Sequence, residues 1–264
     1  VTRTLVALIC ALAAPLAGAA EQLVTVPTRD TSISYLLVQN GRDAKAIAVS
    51  FVGGQGMIDL AKRARENRLR FGPGANFLIR ARNDLTGDDI VNAIVDAPAD
   101  RLPAGLSDLD RLGADHARDI DAVIDDLDRR YPGAPVFLVG TSRGAISAAA
   151  VGASLGPRVH GVVLTSTVTV ADRMGPALSG FDYSTIKAPV LVVHHRDDGC
   201  RSSPYSGAQA LSRRFPLVTV SGGDPPQSGP CEPQSPHGYL GRDAETMGAI
   251  RNFMLGREYA REIG

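Results

Sequence analysis

Residues 135–150 read Pro135-Val136-Phe137-Leu138-Val139-Gly140-Thr141-Ser142-Arg143-Gly144-Ala145-Ile146-Ser147-Ala148-Ala149-Ala150. The opening five are an apolar run of strand length, and the closing six are small residues suited to a packed helix. Between them, Gly140-Thr141-Ser142-Arg143-Gly144 has to turn the chain sharply. Glycine is needed on both sides of that turn, because a side chain at either position would collide with the neighbouring strand or helix. The turn lifts the Ser142 hydroxyl clear of the sheet and sets the positive end of a helix beneath it. As a bare pentapeptide the pattern is a weak signal; its place between an apolar strand and a small-residue helix gives it force. Ser142 is therefore a candidate nucleophile.

Outward from this turn, apolar runs alternate with helical patterns. Strands are expected at 34–38, 46–52, 160–165, 189–194 and 217–220, with a strand end at 92–96. Helical character appears at 75–83, 108–130, 207–215 and 243–255. The long 108–130 helix carries its apolar face on Leu112, His116, Ile120, Val123, Ile124 and Leu127, and Tyr131-Pro132-Gly133 ends it. Strands alternating with helices imply right-handed crossovers and a mostly parallel sheet with helices on both faces, an α/β fold. No internal repeat or low-complexity block divides the chain. The Gly/Pro/Ser-rich stretch 221–236 lies between a strand and the last helix and reads as a long functional loop. One domain, 21–264, is expected.

Composition narrows the partners. The 264 residues are 44% hydrophobic and 21% charged, and the formal net charge is zero. Nothing in that balance favours nucleic acid or an anionic membrane surface. Lysine occurs only at Lys45, Lys62 and Lys187, and the arginines are scattered among acids rather than gathered into a patch.

The N-terminus reads as a secretory signal peptide, residues 1–20. Arg3 supplies the positive start, residues 5–16 an apolar stretch too short to span a bilayer, and Ala17-Gly18-Ala19-Ala20 a cleavage site after Ala19 or Ala20. A lipid anchor on Cys10 is the rival reading, but Ile9 stands where a small residue is expected. Cleavage would remove Cys10 and leave Cys200 and Cys231, and two cysteines in an exported chain point to one disulfide. The expected location is secreted or periplasmic, with no membrane anchor.

A serine nucleophile needs a base within reach and a third group to orient that base. In open parallel sheets such groups gather at the carboxyl ends of strands. The strand Pro189-Val190-Leu191-Val192-Val193-His194 runs into Asp197 and Asp198, and His237 follows in Ser235-Pro236-His237-Gly238-Tyr239, just before the last helix. In this order of nucleophile, acid and histidine the chain resembles the α/β-hydrolase superfamily of serine hydrolases. The resemblance covers essentially all of 21–264 and is to the small secreted bacterial type without a large lid.

The resemblance makes Ser142 the nucleophile, His237 the general base and Asp198 the orienting acid, with Asp197 the second candidate. It places the oxyanion donors on the Arg143 N–H and on Gly54 or Gln55 in the turn Gly53-Gly54-Gln55-Gly56. Val52 stands where the family often has histidine. A phosphate-cradling reading of that turn fails because no Lys-Ser/Thr follows at P-loop spacing. Asp96 corresponds to a strand-end aspartate that braces neighbouring loops. His116 and His160 suit structural roles, and His194 and His195 are expected to line the site. No cluster has zinc spacing, so neither a metal nor a cofactor is expected. A Cys200–Cys231 bond would clamp the acid loop to the histidine loop.

The function expected is hydrolysis of a carboxylic ester or related acyl bond through an acyl-enzyme. With only 169–187 available as a lid, small or extended acyl substrates are expected. A peptidase or an acyltransferase on the same triad, or a non-catalytic binding protein on the same scaffold, are the alternatives.

Overall fold

The computed structural model describes residues 20–41 and 44–264; the expected signal peptide lies outside them except for Ala20. The strands are β1 (Ala20–Thr28), β2 (Thr31–Gln39), β3 (Ala46–Phe51), β4 (Ile90–Val95), β5 (Val136–Thr141), β6 (Gly161–Thr165), β7 (Val190–His195), β8 (Leu217–Val220) and β9 (Glu262–Ile263). They form one nine-stranded sheet in the order β1-β2-β4-β3-β5-β6-β7-β8-β9. The β1–β2 and β2–β4 pairs are antiparallel and every other pair is parallel. The helices are α1 (Leu60–Arg65), α2 (Phe77–Arg80), α3 (Arg82–Thr86), α4 (Asp108–Leu112), α5 (Ala114–Arg130), α6 (Gly144–Leu155), α7 (Tyr205–Leu211) and α8 (Asp243–Met254).

The central strands are buried along their whole length, as crossover helices on both faces require. Alternate residues of β3 separate into two cores. Ile47, Val49 and Phe51 pack with Ile120, Val123, Ile124 and Leu127 of α5 and Ala145, Ile146 and Ala149 of α6. Ala46 and Ala48 face the opposite core, built with Phe77, Leu85, Met247 and Ile250. This pleated division leaves the carboxyl ends of β3 to β8 along one edge, where the chain can gather reactive groups.

Two expectations are corrected. The 108–130 segment is two helices, because Gly113 is extended (φ −79°, ψ 155°) and serves as C-cap of one and N-cap of the next. The first of them, α4, starts at a reciprocal capping box between Ser107 and Asp110. The break frees Leu112 from the α5 face: Leu112 is 36% exposed, while His116, Ile120, Val123, Ile124 and Leu127 are buried. It also turns Asp108 and Arg111 of α4 toward the start of α6. The 75–83 segment likewise divides at Ala81 into α2 and α3.

Strands β1 and β9 were not expected. β1 alternates exposed and buried residues in its C-terminal half and turns tightly into β2, with Thr28 opposite Thr31. β9 has two residues and adds to the β8 edge. Between β6 and β7 the chain forms a loop whose longest regular piece is a 3-10 turn at Tyr183–Thr185. No inserted lid domain stands there.

Candidate active site

Ser142 sits between β5 and α6 with φ 54°, a left-handed conformation rare for a residue with a side chain. Its N–H donates to the Thr165 carbonyl of β6 at 2.9 Å, and its carbonyl accepts from Ala145 N–H at 3.0 Å. A Cβ on Gly140 would stand 2.3 Å from the Gly144 carbonyl oxygen, and one on Gly144 would stand 2.0 Å from the Phe51 carbonyl oxygen of β3. The two glycines are thus demanded by the helix and by the strand respectively, as the sequence implied.

Past the end of β7, the Asp198 side chain is completely buried. Its Oδ2 accepts from His237 Nδ1 at 2.8 Å and from Ser203 Oγ at 3.1 Å, with His194 Nε2 at 3.3 Å. Its Oδ1 accepts from Cys200 N–H at 2.9 Å. Burial pushes this carboxyl up, but the bonds from His194 and His237 outweigh it and hold the group well below the usual carboxylate range. Asp197 is exposed and its N–H donates to His195 Nδ1; Asp198 is the aspartate bonded to His237. The other nitrogen of His237, Nε2, is buried with no hydrogen-bond partner among the described residues.

His237 and Ser142 line one cleft of about 310 Å³, with Gly54, Gln55, Met57, Asn76, Phe77 and Pro233 among its walls. His194 and His195 do not line it, contrary to expectation. His194 lies behind Asp198, and His195 turns to the Gly222 carbonyl at 3.0 Å. A strand alternates its side chains, so adjacent histidines at the end of β7 leave on opposite faces.

The turn after β3 offers the remaining donors. Gly56 N–H donates to Gly53 O at 3.1 Å, Leu106 N–H donates to Gln55 O at 2.8 Å, and Arg111 Nη2 donates to Gly54 O at 2.9 Å. The carbonyls of Gly53, Gly54 and Gln55 are therefore engaged. The N–H groups of Gly54, Gln55 and Arg143 make no bond to the backbone of the described residues. Gly53 packs against the nucleophile turn so closely that its Cβ would stand 3.0 Å from Ser142 Cβ. Free N–H groups on two elements beside one serine hydroxyl are the ingredients of an oxyanion hole.

A family model described as "Serine aminopeptidase, S33" matches residues 111–188, the span that carries Ser142 but neither Asp198 nor His237. Comparison with curated proteins finds no match. Among solved structures, an α/β serine hydrolase without lid from Xanthomonas campestris is 13% identical, with TM-score 0.57, 89% of this chain covered and 97% of that one. Est1E from Butyrivibrio proteoclasticus is 13% identical, with TM-score 0.60 and coverage of 89% and 98%. A cold-adapted esterase from an Arctic intertidal metagenomic library is 14% identical, with TM-score 0.61 and coverage of 91% and 94%. The chain has the lidless α/β-hydrolase fold.

Within this α/β-hydrolase fold, several residues that motif reading passed over hold the site together. Tyr239, fully buried and left-handed (φ 60°), donates its hydroxyl to Val193 O at 2.8 Å and accepts from Ser166 N–H at 2.9 Å. Ser166 Oγ in turn donates to the carbonyl of His237 at 2.7 Å. Arg80 donates to Pro233 O at 2.8 Å and to Gly238 O on either side of His237, while pairing with Asp243 at 2.7 Å. The Arg143 side chain, buried beside Ser142, pairs with Asp108 of α4 and with Asp172 of the β6–β7 loop. None of these leaves a local pattern, because each joins segments far apart in the chain.

Two expected positions behave as read. Cys200 and Cys231 are bonded, with Cα atoms 4.6 Å apart, so the acid loop is tied to the histidine loop. Asp96 accepts from the N–H groups of Ile58 and Leu60, each at 2.7 Å, and of Ala97 at 2.9 Å, bracing the chain beyond the Gly53–Gly56 turn. Burial raises its carboxyl against the lowering effect of those three bonds.

Proposed function

We propose that the protein is a serine hydrolase that cleaves a carboxylic ester or related acyl bond through an acyl-enzyme. The observation that carries this reading is the 2.8 Å bond from His237 Nδ1 to the buried Asp198, with Nε2 left unpartnered in the cleft that Ser142 lines. His237 Nε2 takes the proton from Ser142 Oγ as that oxygen attacks the acyl carbon. The Arg143 N–H and the Gly54 or Gln55 N–H receive the oxyanion. Collapse of this intermediate transfers the proton from the imidazolium to the leaving oxygen. Water then enters, gives a proton to Nε2, and attacks the acyl-enzyme; release of the acid returns the proton to Ser142. Asp198 stays ionised throughout and stabilises the imidazolium.

The cleft, with Met57, Phe77 and Pro233 on its walls and no inserted lid, suits a small acyl group or one end of an extended molecule. The esterase among the structural relatives favours an ester over an amide. The family description "Serine aminopeptidase" keeps a peptidase as the second reading. Export is part of the proposal: an apolar N-terminal stretch ends in small residues, and the Cys200–Cys231 bond suits an oxidising compartment.

The test is labelling with a fluorophosphonate probe, wild type against Ser142→Ala, followed by p-nitrophenyl esters of graded length and matched anilides. Labelling of the wild type alone, with ester turnover above anilide turnover, is expected. Labelling that persists in Ser142→Ala, or none in the wild type, rejects the mechanism.

A further inference from the structure

Arg111 has no role in the steps above, yet it lies directly under them. It is 1% exposed. Among the described residues its guanidinium forms no salt bridge: the nearby Asp108 gives both oxygens to Arg143 and one also to Ala177 N–H. A buried cation without a carboxylate partner is costly, and an apolar side chain of similar volume would fill the space with less penalty. What the guanidinium does touch is specific. Nη2 donates to the Gly54 carbonyl at 2.9 Å and Nη1 donates to Ser147 Oγ at 2.7 Å. It is packed so tightly against the turn that a Cβ on Gly56 would stand 2.7 Å from Nη2.

We infer that Arg111 is a positioning residue for the oxyanion turn, orienting and polarising the Gly54–Gln55 peptide toward the acyl oxygen at Ser142. The inference rests on the serine-hydrolase reading. A trans peptide sets its C=O and N–H in opposite directions. A guanidinium holding the Gly54 carbonyl from below therefore aims the Gln55 N–H away from α4. Donation to the carbonyl also drains charge from the amide, which makes its N–H a stronger donor. The second arm, on Ser147, ties the turn to α6, the helix whose start supplies the Arg143 N–H. One buried side chain thus sets the spacing between the two sources of oxyanion donors.

The test compares wild type, Arg111→Met, Arg111→Gln and Arg111→Lys on a short p-nitrophenyl ester, together with inhibition by a trifluoromethyl ketone that mimics the tetrahedral adduct. Loss of one direct oxyanion donor costs about 10²–10³ in kcat, so loss of a residue that positions one is expected to cost about 10- to 100-fold. The neutral variants should show this loss in kcat with KM within about threefold of wild type, and affinity for the ketone should fall in parallel with kcat. Lysine, which keeps the charge, should recover part of it. A purely structural role would not weaken the ketone selectively. A neutral variant with native near-ultraviolet circular dichroism and kcat within about twofold of wild type overturns the inference, as does a loss carried by KM. If Arg111→Met does not fold, Arg111→Gln carries the same criteria. Ser142-dependent fluorophosphonate labelling of the wild type separates the outcomes. If it is present and kcat is unmoved in the variants, this inference alone fails. If it is absent, the hydrolase reading fails and takes the inference with it.

Discussion

The Cys200 N–H donates to Asp198 Oδ1 at 2.9 Å, so the residue that begins the disulfide also holds the carboxylate that orients His237. The other end of the bridge, Cys231, lines the cleft with His237. Strain or slack in this one covalent link therefore reaches both partners of the proposed triad. Replacing both cysteines by serine should lower stability by about 3.5–4 kcal/mol on the chain-entropy estimate for the closed loop. It should also lower kcat at temperatures where the variant remains folded, since about 1 Å of misplacement can cost roughly a hundredfold in rate. Urea unfolding and turnover at low temperature measure the two effects separately. Turnover equal to wild type in the folded variant removes the positioning role and leaves a stabilising bond.

The two adjacent aspartates give a sharper comparison. Asp198→Asn is expected to cost about 10⁴-fold in kcat, because the amide favours the wrong tautomer of the imidazole; Asp197→Asn should stay within about twofold. The pH dependence follows from the depressed Asp198 carboxyl. Its folded value lies below its unfolded one, so its contribution to stability is complete above about pH 4 and is lost as pH falls through the lower folded value. The acid limb of the activity profile should therefore not belong to Asp198. Titration of kcat/KM between pH 4 and 8 tests this: a second ionisation from Asp198 in that window contradicts the geometry.

Tyr239 makes a test of a residue that touches no reacting atom. Its hydroxyl satisfies both Val193 O and Ser166 N–H in a fully buried position. Tyr239→Phe removes the hydroxyl that these two groups share and leaves them only the 3.1 Å bond from Ser166 N–H to Val193 O. Stability should fall by about 1–3 kcal/mol for the two lost bonds, and kcat should fall with it, because Ser166 also holds the His237 carbonyl. Chemical denaturation together with steady-state kinetics reads both. A variant with wild-type stability would show that the tie carries no energy.

The division between what the sequence disclosed and what it concealed follows the range of each constraint. The Ser142 turn was legible because steric demands from Gly144, Ala145 and Phe51 fall on Gly140 and Gly144, neighbours of Ser142 itself. Asp198 and His237 were legible as strand-end and pre-helix positions, yet the choice between Asp197 and Asp198 depended on which side chain the turn after β7 directs inward. The break at Gly113 looked like an ordinary glycine in a helix, since its extended conformation is imposed by α4 docking beside α6. β1 was hidden because its first residues adjoin the apolar N-terminal stretch and read as the end of a cleavage site. Arg80, Arg111 and Tyr239 act through backbone groups distant in sequence, and backbone groups have no identity that a motif can record.

His116 supplies a pH effect on stability that is independent of catalysis. Its ring is buried edge-on to Phe51, centroids 5.9 Å apart, and neither nitrogen has a partner among the described residues. Burial, reinforced by the positive charges of Arg111 and Arg29 against the opposing charge of Asp110, lowers its imidazole to about 3. The folded protein therefore keeps this ring neutral while the unfolded chain protonates it below about pH 6.5. Between those values the unfolded state binds the extra proton, so stability falls as pH falls, by about 1.4 kcal/mol per pH unit. Comparing pH 6.5 with pH 5.0, the wild type should lose about 1.6 kcal/mol more than His116→Leu. The difference between pH values is the quantity to read, because the substitution also alters packing equally at both. Urea unfolding of the two proteins at each pH supplies it, and equal losses in wild type and variant would show that water or a structural change solvates the ring.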